Sequence, residues 1–165
     1  ITHTRIQTGR NIMTTAQHEL VLELILDCEP GDLYRCWTEP ELIKQAFAPK
    51  PWTTPSAKVD VRPGGGSEIT MRSPEGQEFP NKGQYLEVVP GKKLVFTDAF
   101  TEAWVPSEKP FFTGILTFAD EGGKTRYIAR ARHWTAEDME AHEKMGFHTG
   151  WGIAANQLEA LAKTL

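Results

Sequence analysis

The chain has 165 residues, enough for one domain with a substantial core. It is 39% hydrophobic and 24% charged, and 22 acidic residues outweigh 18 basic ones for a net charge of −4. That balance, without any basic stripe, argues against nucleic acid as a partner, and no run of about 18 apolar residues exists to span a membrane.

Residues 1–12 are polar without a clear period, and Met13 reads as a start. Residues 1–13 are therefore expected to be a leader and 14–165 a single domain. No charged segment leads into an apolar core with a small-residue cleavage site, so a cytoplasmic location is expected. From Glu19 to Asp27 apolar residues alternate, with Leu20, Leu22, Leu24 and Leu26 on one side, which predicts a half-buried strand. Pro30-Gly31-Asp32 ends that strand and opens a short helix to Thr38. A second helix starts at Thr38 or Glu39, with Pro40 at an early position, and runs to about Phe47 before Pro49 and Pro51.

The middle of the chain reads as strands: Ala57–Arg62, Ser67–Arg72, Lys82–Val89, Lys93–Phe100, Phe111–Ala119 and Thr125–Trp134. Glycine-bearing turns separate most of them, which is the pattern of an antiparallel meander. A longer loop over 101–110 carries Trp104. At the C-terminal end Thr135 and Asp138 resemble a capping box. Trp151, Ala154, Ala155, Leu158, Leu161, Ala162 and Leu165 then recur at helical spacing, so a long amphipathic helix is expected to lie on the sheet. A strand, two short helices, a run of strands and a long helix make an α+β fold.

Four segments together resemble a known family. They are Leu33 to Ile43, Asp60 to Gly66, Gly83 to Phe96 and Trp151 to Leu165, within a match covering about residues 19–165. The family is the one named after the activator of heat-shock protein 90 ATPase. It lies within the START-like (SRPBCC) superfamily, which also holds lipid-transfer domains, plant pathogenesis-related proteins and polyketide cyclases. The resemblance implies a helix-grip fold of bacterial type: a curved antiparallel sheet wrapped around a long C-terminal helix, with two short helices after the first strand and a cavity between sheet and helix. It implies no single chemistry. Chaperone binding is not expected, because the eukaryotic activator carries a further N-terminal domain.

Ten residues are candidates to line that cavity: Phe47, Trp52, Phe96, Trp104 and Phe118 from the first part of the chain. His133, Met139, Phe147, His148 and Trp151 follow from the second. The expected partner is a small hydrophobic or aromatic molecule, with Trp104 and Trp151 as contacts whose removal weakens binding; rings that merely fill a core are the competing reading. No complete catalytic set is present. His133, or an acid such as Glu102 beside Asp98, is the weak candidate for hydrolase, cyclase or lyase chemistry. His142-Glu143 lacks a second histidine at i+4, since the next is His148, so no metal site and no cofactor are expected. Pro63 to Ser67 reads as a tight turn, because no P-loop lysine or helix follows it. Cys28 and Cys36 are expected to be free, buried thiols. An exposed sheet edge would allow a homodimer.

Overall fold

The computed structural model of the chain describes residues 4–8 and 17–165. Among the described residues eight strands form one antiparallel sheet. They are Thr4–Thr8 (β1), Glu19–Leu26 (β2), Thr53–Val59 (β3), Gly66–Arg72 (β4), Glu78–Val89 (β5), Lys93–Thr97 (β6), Phe112–Glu121 (β7) and Lys124–His133 (β8). The order across the sheet is β1-β2-β8-β7-β6-β5-β4-β3. Helices Pro30–Thr38 (α1) and Pro40–Ala46 (α2) follow β2, and Ala136–Lys144 (α3) and Phe147–Ala162 (α4) close the chain. This is the helix-grip arrangement expected from the sequence.

The leucine alternation in β2 works as read. Leu20, Leu22, Leu24 and Leu26 are at most 1% exposed and join Leu33, Leu116, Ala129, Ala131 and Leu158 in the core. On the other face Arg126 pairs with Glu23 at 2.6 Å, and Arg130 and Arg132 both reach Glu19, at 2.7 and 2.6 Å. The inner face of the β2–β8 pair is thus mainly apolar, and the outer face mixes these ion pairs with Val21, Ile25 and Ile128.

Several boundaries differ from the sequence reading, each for a local reason. Part of the expected leader is β1, which pairs with β2 from Thr4↔Leu24 to Thr8↔Leu20; Met13 lies outside the described residues. A short polar segment carries no apolar period, so nothing in its pattern marked a strand. β3 starts at Thr53, not Ala57, because Pro55 sits on an edge strand, at a register irregularity between Thr53 and Ser56. β5 starts at Glu78, not Lys82. Its pairing with β6 begins only at Gln84, so Pro80 needs no ladder donor on that side.

The C-terminal segment is two helices instead of one. Gly146 has φ +94, the left-handed conformation that ends α3, and α4 restarts at Phe147. Thr135 does cap α3, its side chain accepting from the Asp138 amide at 3.1 Å. Among the described residues no helix is long and apolar enough to cross a membrane.

Candidate functional site

Strand periodicity places one set of rings on the inner face of the sheet. In β7 that face carries Phe112, Gly114, Leu116 and Phe118, opposite His133, Ala131, Ala129 and Tyr127 of β8. In β6 it carries Leu94 and Phe96, opposite Leu116 and Gly114. The absent side chain at Gly114 is what lets Phe96 lie over β7: a Cβ there would stand 2.4 Å from the Phe96 ring. The helices complete the set. Trp37 comes from the last turn of α1, Phe47 from the C-cap of α2, His142 from α3, and Phe147 and Trp151 from the first turns of α4.

These rings form an unbroken series of contacts. Phe47 meets Trp37 edge-on at 5.8 Å, and Trp37 stacks on Phe96 at 6.4 Å with 25° between the planes. Phe96 meets Phe112 at 6.0 Å, Phe112 meets Trp151 at 5.8 Å, and Trp151 meets Phe147 at 4.8 Å. Phe147 is buried, whereas Phe47, Trp37, Phe96, Phe112 and Trp151 are all half-buried beside the aliphatic core. The Trp37 indole N–H lies inside the structure without an acceptor.

A polar thread ends in the same place. Asp98 Oδ1 accepts from the amides of Phe111 and Phe112, at 2.8 and 3.1 Å. His133 Nδ1 stands 2.9 Å from the Phe111 carbonyl, and His133 Nε2 stands 2.9 Å from His142 Nδ1. A carbonyl only accepts, so His133 carries its proton on Nδ1. Neutral His133 then has a lone pair on Nε2, and His142 must donate from Nδ1. The open nitrogen of the pair is therefore His142 Nε2, and it is an acceptor. Burial, reinforced by His133 and His148, lowers the His142 pKa from 6.5 to about 4. Burial likewise lowers His133, against the Phe111 hydrogen bond and the charges of Asp138 and Asp98. Both imidazoles are neutral near pH 7.

The ten sequence-predicted residues divide between this place and others. Phe47, Phe96, His133, Phe147 and Trp151 belong to the ring series or touch it. His148 contacts Phe147 and donates from Nε2 to the Val21 carbonyl at 3.2 Å. Met139 packs on the core from α3. Phe118 shares the inner face but lies at the far end of β7, buried between Tyr34 and Tyr127. Trp52 pairs with Phe79 at 5.5 Å instead of joining the series. Trp104 is 53% exposed on a short 3-10 turn, Glu102–Trp104. Its amide donates to Gln84 Oε1, and Gln84 shares a sheet face with Thr97, the face opposite Phe96.

Trp37, Phe112 and His142 are the members absent from the ten predicted cavity residues, and the sequence raises His142 only as a metal ligand. Phe112 was legible from its β7 alternation with Leu116 and Phe118. His142 had no such signal, because its partner is nine residues away across a helix start. Asp98 is pinned to two backbone amides, and burial raises its pKa, while Glu102 is exposed beside Gly66. Cys28 and Cys36 are free and buried, and burial pushes their thiols up to about 12 and about 11, which makes both inert as nucleophiles. Among the described residues no three His, Cys, Asp or Glu side chains converge as metal ligands.

Two surface clefts lie elsewhere. One of about 400 Å³, between α2 and α4, is lined by Gln45, Lys50, Ile153, Gln157 and Leu161 among others. The other, about 550 Å³, lies on β3–β5 beneath Thr101 and Glu102. None of the ten residues lines either one.

The same architecture recurs in solved structures. A crystal structure of a Nitrosomonas europaea protein is 40% identical, with a TM-score of 0.88 over 92% of this chain and 97% of that one. A Mycobacterium smegmatis protein shares the fold at 20% identity, with a TM-score of 0.76 over 96% and 94% of the two chains. An AHSA1-like protein from Aeromonas hydrophila does so at 20% identity, with a TM-score of 0.68 over 86% and 92%. No curated protein matches the chain. Residues 27–163, from the end of β2 through α4, match the family described as activator of Hsp90 ATPase homolog 1-like protein. The grip of sheet on helix, its inner aromatic face and that match agree, and the chain belongs to this family.

Proposed function

We propose that the chain binds a small apolar or aromatic molecule on the inner aromatic face, between α1, α4 and strands β6–β7. One observation carries the reading: five large rings joined in a series of contacts each stay partly exposed while the leucines beside them are sealed. Uncovered aromatic area costs about 25 cal/mol per Å² of lost burial, so a ligand laid on these rings gains what the fold leaves unused. The family's fold supports the same class of function without naming a ligand. The chaperone activity in the family's name belongs to its namesake, and no residue of the aromatic face argues for it here.

Native mass spectrometry of gently purified protein, beside a denatured sample, tests the proposal. A reproducible added mass that disappears on denaturation is expected, and Trp151→Ala should remove it while the protein stays folded. An unligated native mass, together with no thermal shift from a panel of small aromatics, would return the rings to the role of core filler.

A further inference from the structure

We propose that His142 Nε2 is a polar contact of the aromatic face and accepts a hydrogen bond from a donor on the ligand, so that the preferred class is a phenol or another hydroxyl- or N–H-bearing aromatic. This rests on the binding role of that face and adds the chemistry that it selects. The geometry is a chain of forced choices. The Phe111 carbonyl fixes the proton of His133 on Nδ1, His133 Nε2 fixes the proton of His142 on Nδ1, and the lone pair is left on His142 Nε2. His142 as a residue is only 8% exposed, and its ring lies edge-on to Phe147 at 5.1 Å and Trp151 at 6.0 Å and tilted to Phe112 at 5.3 Å. A donor reaching it is therefore shielded from water, where a hydrogen bond discriminates most strongly between a ligand with the donor and one without.

Protonation reverses the preference. One added proton leaves a single hydrogen between the two rings, shared between His133 Nε2 and His142 Nδ1, and whichever ring holds it, His142 Nε2 now bears a hydrogen. The contact changes from acceptor to donor on the acid side of the normal histidine range. The charged and titratable groups facing the pair are Asp98 after β6, Asp138 on α3, His18 before β2 and His148 on α4. The two carboxylates favour the added proton and the two histidines oppose it.

The test compares 4-ethylphenol, 4-ethylanisole and ethylbenzene by calorimetry at pH 7.5, with wild type and His142→Phe. The expected result is binding of all three, the phenol at least tenfold tighter, with that advantage gone in His142→Phe. If all three bind wild type equally, the aromatic site stands and the His142 contact falls. If none binds, the site itself falls. Independent of any variant, long-range ¹H–¹⁵N spectra of the wild-type protein report the tautomers directly. Nδ1–H is expected for both His133 and His142 at pH 7.5, and Nε2–H on neutral His142 overturns the proposal.

Discussion

The two flanks of the inner sheet face are finished with different materials. Across β2 and the Ala129–Ala131 stretch of β8 the face is leucine and alanine, and α4 closes it with Ala155, Leu158 and Ala162, all 2% exposed or less. Where the ends of β6 and β7 that carry Phe96 and Phe112 meet Trp37 of α1 and Trp151 of α4 it is aromatic, and none of these four rings is fully covered, although Leu94, Leu116 and Phe118 farther along the same strands are buried. Small and branched side chains interdigitate to interior density. The rings of the second flank meet edge-on or stacked, and each keeps part of its surface exposed. The first flank is sealed; the second keeps partly exposed aromatic surface, which is where the proposed ligand would lie.

The widest separation of the two flanks should come from truncating the first. Leu24 is 1% exposed, and Leu24→Ala leaves a cavity in close-packed surroundings. A loss of about 3 kcal/mol in urea unfolding is expected. Binding by the molecules that remain folded should stay within twofold of wild type. A comparable fall in affinity would mean that the two flanks are a single cooperative unit.

A smaller effect should come from acid, through the histidines that border the second flank. Their folded pKa values lie below the ordinary 6.5, so the unfolded chain binds more protons as the pH falls. Their stabilising contribution is complete above pH 6.5 and is lost progressively toward the folded value of about 4 for His142. For His142 alone the loss between pH 7 and pH 4.5 is on the order of 2 kcal/mol, and His133 adds to it in the same direction. Asp98, whose pKa is raised by burial, acts in the opposite sense and offsets part of it at the acid end. In His142→Phe the slope of unfolding free energy against pH should flatten over this window. Equal slopes would show that other groups carry the acid sensitivity.

The same contrast governs what the sequence could reveal. The leucine period of β2, the prolines opening α1 and α2, and the Thr135 cap are local signals, and each matches its element. The family resemblance supplied the grip, which no local pattern states. What escaped was set by distant partners. Trp104 looks as suitable a ligand contact as Trp151 in sequence, yet a turn with Ala103 and Trp104 at φ +58 and +64 holds it over Gln84 on the outer face. The break at Gly146 was hidden because the apolar spacing resumes in α4. His142 has meaning only through His133 and the Phe111 carbonyl, and those contacts come from register, not from spacing along the chain.

The finest test of the second flank is a single methyl group. Gly114 has an ordinary backbone conformation, so alanine there brings no φ strain, and its whole effect is steric. The new Cβ would stand 2.4 to 2.9 Å from three atoms of the Phe96 ring, closer than van der Waals contact permits, so the ring must swing off β7. Phe96 is only partly buried, so the expected stability loss is near the low end for overpacking, about 1 kcal/mol. Moving that ring, however, breaks the contacts that join Trp37 to Phe112 in the aromatic series. Gly114→Ala should therefore weaken aromatic binding by about tenfold while lowering stability far less than Leu24→Ala, because orientation of a few rings decides binding where total buried area decides folding. Unchanged affinity alongside a displaced Phe96 would remove that ring from the site and leave the ligand to Phe112, Trp151 and His142.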